Sequence, residues 1–221
     1  MALFREIPEN PDGIVGVGGD LKPETLLYAY RRGIFPWPME GYPLTWFSPP
    51  ERAILEFRNL HVPRSLERAR RQSRLHFTFD QAFSKVIRHC AQVPRPGQDG
   101  TWITSRMVTG YQALHALGAA HSAEAWNGDQ LVAGLYGVDV DGAFAAESMF
   151  HLQANASKLL LLTLFEHLGR QGLDWIDIQV LTPHLEALGA RAIPRSEFLE
   201  RLAKTRARGL KLFPAQQPSS P

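Results

Sequence analysis

The chain has 221 residues, 44% of them hydrophobic, enough to bury the core of one ordinary domain with a small companion. Its 24 Lys and Arg against 22 Asp and Glu leave a net charge of +2, which excludes a uniformly basic polyanion binder and leaves any such role to local clusters. The single cysteine, Cys90, excludes an intrachain disulfide, and no zinc-type spacing or long apolar run is present, so a cytoplasmic protein without metal or membrane attachment is expected.

In chain order, residues 13–19 predict a short strand running into a glycine turn. Asp20 is expected to cap a helix from about Leu21 to Arg32, with Leu26, Leu27 and Tyr30 on one face and Gly33 as its stop. The glycines do not form a dinucleotide fingerprint, because the last glycine position counted from Gly16 is Leu21. From Ile34 to Pro50, IFPWPMEGYPLTWFSPP holds five prolines and five large aromatics with no helical or strand period. This is expected to be a loop, either an exposed binding surface or a lid that completes the core.

A strand at Ala53–Phe57, a helix at Pro63–Gln72 and a strand at Leu75–Phe79 follow. The helix concentrates Arg64, Arg68, Arg70 and Arg71, followed by Arg74, against Glu67 alone. Such a surface is either a solvated face or a phosphate-binding patch. A second basic excess lies at Arg201, Lys204, Arg206, Arg208 and Lys211.

Amphipathic helices are predicted at Gln81–Cys90 and Ser105–Leu117, the second with Met107, Tyr111, Leu114 and Leu117 as a stripe. The Gly/Pro loop PRPGQDGTWIT between them holds Trp102. Three strands, His121–Trp126, Gln130–Asp139 and Ala143–Phe150, joined at Asn127-Gly128 and Asp141-Gly142, read as an antiparallel meander. A helix at Ala156–Leu168, a strand at Trp175–Val180, a short helix near Pro183–Leu188 and a last helix at Ser196–Arg206 complete an α+β pattern.

Two strands carry unexpected polarity. Trp175, Asp177 and Gln179 share one face of their strand, opposite Ile176, Ile178 and Val180. Asp177 and Gln179 are either hydrogen-bonded structural groups or a proton-handling pair in a cleft. Glu147, in FAAESMF, must find a cation, an amine or a proton among apolar neighbours. No HxxxH spacing and no nucleophile elbow is present, so neither metal hydrolysis nor covalent catalysis is favoured.

The stretches GGDLKPETLLYAYRRGIFPW, GTWIT, HSAEAW, LYGV, AESMF, ASK, IDIQVLTPHLEALGA and IPRSEFL run in order from Gly18 to Leu199. On these the chain resembles the bacterial leucyl/phenylalanyl-tRNA–protein transferases. The resemblance implies a small N-terminal α/β domain over 1–52, while the low-complexity QQPSSP ending marks 214–221 as a flexible tail. Between them, over 53–213, the resemblance implies an acetyltransferase-like (GNAT) domain with a mainly antiparallel sheet flanked by helices. Acetyltransferases hold coenzyme A on a glycine-rich turn after the meander. Here that place reads HLQANASK, without glycine, and acyl-tRNA replaces the coenzyme.

The implied reaction is transfer of Leu or Phe, and Met less well, from aminoacyl-tRNA to acceptor proteins beginning with Arg or Lys, marking them for N-end rule degradation. No cofactor is needed, and a monomer is expected. By motif, Asp177 and Gln179 become the proton-relay and positioning pair, with Glu147 beside the donor. Tyr30, Trp37, Trp102 and Tyr111 match aromatic positions around the terminal adenosine and the donor. The arginines Arg64, Arg68, Arg70, Arg71 and Arg74 would meet tRNA phosphate. Where family members carry methionine and aromatic pocket residues, this chain places Leu135, Leu164 and Leu168. The rival readings are a coenzyme A-dependent N-acetyltransferase of the same fold and a non-catalytic RNA-binding module.

Overall fold

The computed structural model describes residues 4–6, 11–39, 41–93 and 101–214. The expected tail at 214–221, apart from Pro214, and the 94–100 part of the Gly/Pro loop lie outside the described residues.

Strands β1 (Arg5–Glu6), β2 (Ile14–Val17), β3 (Phe35–Pro36) and β4 (Thr45–Phe47) make an antiparallel sheet in the order β1-β2-β4-β3. The expected loop at 34–50 therefore contains two strands. Pro36 lacks an N–H, and β3 is an edge strand where none is required on its outer side. The Thr45 hydroxyl donates to the Trp37 carbonyl. Helix α1 (Pro23–Tyr30) begins later than expected, and Asp20 does not cap it. Lys22 holds the cap position with Pro23 in the first turn, while Asp20 Oδ1 accepts from the Thr25 hydroxyl at 2.7 Å and from Lys22 N at 3.2 Å. Gly33 ends the helix at φ +70°, and a Cβ there would press within 2.7 Å of Leu199 and 2.8 Å of Phe198.

The remaining elements are β5 (Glu51–Glu56), α2 (Arg64–Gln72), β6 (His76–Phe79), α3 (Phe83–Gln92), α4 (Ser105–Ala116), β7 (Ala120–Asn127), β8 (Gln130–Val140) and β9 (Ala143–His151). They are followed by α5 (Ala156–Arg170), β10 (Trp175–Gln179), α6 (Pro183–Glu186), β11 (Arg191–Pro194) and α7 (Arg195–Arg206). Seven strands form one sheet in the order β11-β5-β10-β9-β8-β7-β6. The pairs are antiparallel except β9 with β10, which is parallel. Meander, helix and parallel strand follow one another as the GNAT-like arrangement requires. Strand β11 was not expected: of its four residues Ile193 alone is a buried apolar one, too short a run to show a period. Leu117 is exposed, so the stripe of α4 ends at Leu114.

Both faces of the large sheet are covered, which is why all five residues of β10 are buried. On one face Leu26, Tyr30 and Trp46 from the N-terminal segment join Val86, Met107, Tyr111, Trp175 and Phe198 in one cluster. On the other, Leu160, Leu161, Leu164 and Leu168 of α5 pack on Leu55, Leu135 and Ile176. Gly110 lets α4 approach the start of α1: a Cβ there would lie 2.5 Å from the Leu21 carbonyl oxygen. That approach puts Tyr111 beside Tyr30. Among the described residues no helix is long and apolar enough to cross a membrane.

Candidate active site

Strands β9 and β10 share one register pair, Asp177 with Ala145. Each strand carries a bulge next to it. Tyr136 pairs with Ser148 and Gly137 with Ala146, so Glu147 is the extra residue of β9. Asp177 pairs with Ile54 and Gln179 with Ala53, so Ile178 is the extra residue of β10. Bulges of this kind re-aim side chains. A cavity of about 300 Å³ opens here, lined by Glu147 and Gln179, by the apolar side chains of Leu135, Met149, Leu161 and Ile176, and by the indoles of Trp37 and Trp102. The two indoles stack with centroids 5.0 Å apart.

Glu147 is buried and held from two sides. Gln179 Nε2 donates to its Oε1 at 2.5 Å, and the Tyr111 hydroxyl donates to its Oε2 at 3.1 Å. The Tyr111 and Tyr30 hydroxyls lie 2.5 Å apart. Burial pushes the Glu147 carboxyl up to about 7, with the Asp177 charge adding to the rise and the tyrosine hydrogen bonds and Arg52 opposing it. Burial, followed by the charge of Glu147, drives both tyrosines well above the ordinary phenol range, so they remain neutral hydroxyls. The site thus contains a carboxyl able to exchange a proton near neutrality beside an apolar cavity.

Asp177 is buried behind this pair. Arg52 Nε donates to its Oδ1 at 2.8 Å and a terminal guanidinium nitrogen donates to its Oδ2 at 2.7 Å. Oδ1 also accepts from Gln179 N at 2.9 Å, across a turn that holds Gln179 at φ +62°. Arg52 was missed from the sequence, where the available signal was one cation heading the apolar run of ERAILEF.

Residues 54–203 match the leucyl/phenylalanyl-tRNA protein transferase family, and residues 19–50 match that family's N-terminal domain. The chain belongs to the leucyl/phenylalanyl-tRNA protein transferase family. Relatives of that name include one from Anaeromyxobacter dehalogenans, 53% identical over 194 residues, which span 88% of this chain and 83% of the relative. One from Myxococcus xanthus is 50% identical over 199 residues, 89% of this chain and 85% of the relative. One from Shewanella loihica is 46% identical over 197 residues, 89% of this chain and 83% of the relative.

Within this transferase-family chain, the structure brings together Trp37, Trp102, Leu135, Glu147 and Gln179 on the cavity wall. Tyr30 and Tyr111 are fully buried and contribute hydroxyls to Glu147 rather than ring faces to the cavity. Leu164 and Leu168 are not on the wall. They belong to the core cluster around it, because α5 presents Leu161 to the cavity. Met149, Leu161, Ile176 and Leu185 line it without having been singled out.

The two basic clusters differ. Arg64, Arg68, Arg70, Arg71 and Arg74 are all exposed, and α2 is anchored by Leu66 against Leu159 and Leu162. Arg70 pairs with Glu166 at 2.6 Å; among the described residues the other four make no ion pair. In the C-terminal cluster, Arg201 pairs with Glu56, Lys204 with Glu200, Arg206 with Asp141 and Arg208 with Asp174. Each of these four cations faces a carboxylate, although Asp141 is shared with Arg31 and Glu56 with Arg58 and Arg191.

Proposed function

We propose that the protein transfers leucine or phenylalanine, and methionine less well, from aminoacyl-tRNA to the N-terminal Arg or Lys of acceptor proteins, marking them for N-end rule degradation. It works as a cytoplasmic monomer without a cofactor. The observation that carries this reading is Glu147, a carboxyl poised near neutrality at the wall of an apolar cavity. The donor side chain fills the space among Leu135, Met149, Leu161 and Ile176, and the terminal adenosine lies against the Trp37 and Trp102 indoles.

The chemistry is aminolysis of an ester. The acceptor α-amino nitrogen attacks the aminoacyl carbonyl carbon, the carbon–oxygen bond to the ribose breaks, and the ribose hydroxyl leaves with a proton. Because the ester is already activated, the protein has to align the two partners and manage one proton. Glu147 accepts the proton lost by the amine and returns it to the leaving ribose oxygen, and the Tyr111 hydroxyl stabilises its carboxylate form. Gln179 orients the reacting groups. Asp177, with both oxygens engaged, serves by holding Gln179 rather than by moving far from Arg52. Exposed arginines of α2 attract tRNA phosphate without reading sequence.

The test is incubation of the purified protein with radiolabelled Leu-tRNA and a protein that begins with Arg. Label is expected in the acceptor as a new N-terminal residue. Label transferred equally to a protein beginning with Ala, or not transferred at all, overturns the reading.

A further inference from the structure

Arg52 does not line the cavity, yet its whole guanidinium is engaged. Besides its fork on Asp177, it donates to the Gly33 carbonyl at 3.3 Å, and its Cζ lies 4.4 Å from the Phe35 ring and 4.7 Å from the Phe198 ring. The side chain is 2% exposed. A buried ion pair is commonly no more stabilising than apolar residues of the same volume, so folding alone gives no reason for one here. Its geometric effect lies downstream. Asp177 Oδ1 accepts from Gln179 N and supports a positive φ that residues other than glycine rarely adopt, and this turn carries the Gln179 amide to Glu147.

We propose that Arg52 is a positioning residue of the transfer reaction: clamped between the N-terminal segment and α7, it fixes Asp177 and thereby sets the Gln179 amide against Glu147 in the donor cavity. The proposal rests on the reading of Glu147 and Gln179 as the groups that handle the acceptor amine. A lysine would keep the charge beside Asp177. It could not supply two parallel N–H bonds, a third to Gly33 and a flat surface between two rings.

The experiment compares full-length Arg52→Lys, Phe198→Leu and Gln179→Ala with the parent, using Leu-tRNA and an Arg-initiated acceptor. It reads kcat, KM for Leu-tRNA, tRNA affinity by filter binding, and the folded fraction by circular dichroism. Arg52→Lys is expected to lower kcat by about 10–100-fold with KM and tRNA affinity unchanged, the cost of a small misplacement of reacting groups. Phe198→Leu, remote from the cavity, should lower kcat less and leave KM alone. Parental kcat in Arg52→Lys overturns the proposal, as does a loss that vanishes once corrected for the folded fraction. If Arg52→Lys does not fold, Phe198→Leu decides, and parental kcat there overturns it. A fast Gln179→Ala would instead sink the reading of the cavity, whereas a slow Gln179→Ala with a fast Arg52→Lys sinks the positioning role alone.

Discussion

The side-chain amide of Gln179 on β10 meets the carboxyl of Glu147 on β9 at 2.5 Å, just past the one register pair that joins these parallel strands. Past that pair the strands are linked by side chains, and what the link does depends on whether Glu147 carries its proton.

Glu147 changes protonation near pH 7. The kcat/KM of transfer should therefore rise with pH through that value and again through about 7.7–8.0 as the acceptor amine loses its proton, and level off only above both. In Glu147→Gln the lower limb should disappear, leaving the titration of the acceptor amine. A pH–rate profile of both proteins with one acceptor checks this, and an unchanged acid limb in the variant would discard Glu147 as the proton acceptor.

The same raised carboxyl affects stability. The folded protein holds a proton that the unfolded chain releases around 4.5, so the contribution is full below that pH and is lost as pH rises through about 7. The loss is on the order of 3 kcal/mol. Urea melts at pH 5 and pH 8 should show a smaller difference for Glu147→Gln than for the parent. Equal differences would mean that the carboxyl is not raised in the folded state.

Removing the partner of a buried cation leaves it uncompensated. Asp177→Ala should cost about 3–5 kcal/mol through the stranded Arg52. It should also lower turnover far more than it weakens donor-tRNA binding, because Asp177 supports Gln179 and does not line the cavity. Thermal melts and filter binding beside single-turnover rates separate the effects. A parallel fall in binding and rate would count against the assignment.

The meander and α5 were legible from the sequence because their signals are local. Asn127-Gly128 and Asp141-Gly142 mark hairpin turns, and φ is positive at Gly128, Asp141 and Gly142. The apolar repeat of Leu160, Leu161, Leu164 and Leu168 marks a buried helix face. The bulges at Glu147 and Ile178 were not legible, since an extra residue exists only relative to a partner strand. Strands β3, β4 and β11 are likewise too short to show a period and form because a neighbour offers an edge. For the site, Glu147, Asp177 and Gln179 stood out as polar groups in apolar strands, whereas the aromatic positions came only through the family resemblance. Arg52 did not stand out, because its partner lies 125 positions away. Matching a cation on one apolar strand to an acid on another could have found the pair. Leu164 and Leu168 were misplaced because helix period tells which residues are buried, not which of them face a cavity.

The exposed arginines of α2 and Arg74 just beyond it, and the ion-paired C-terminal cations, give opposite expectations for salt. Arg68→Ala, Arg71→Ala and Arg74→Ala should weaken binding to all charged tRNAs alike and flatten the salt dependence, by a slope of about 0.7–0.9 for each phosphate no longer neutralised. Arg208→Ala should leave the slope unaltered, since Asp174 already pairs with that cation. Titrations at several salt concentrations decide, and identical slopes throughout would return α2 to a solvated face.

Donor choice should respond to the cavity wall and not to the core behind it. Leu161→Phe narrows the cavity and should shift the kcat/KM ratio toward Leu-tRNA over Phe-tRNA, within the roughly 1–3 kcal/mol that pocket filling commands. Leu164→Phe should leave that ratio alone and instead destabilise the protein by about 1–3 kcal/mol through overpacking. Kinetics with both donors under one buffer test the pair, and the reverse pattern would place Leu164 on the wall.

Gly33 lies against Phe198 and Leu199, so a segment made early in synthesis is completed by one made near its end. Tyr30 leaves the ribosome long before Tyr111 and Glu147 exist, and Arg52 waits for Asp177 and then for Phe198 to close over it. A nascent chain stopped anywhere before α7 would therefore hold an arginine open on one side and an unsettled glutamine. If Arg52 positions the site as proposed, transfer should begin only once α7 is made, and copies terminated before it should bind charged tRNA without transferring its amino acid, even where their sheet has already formed.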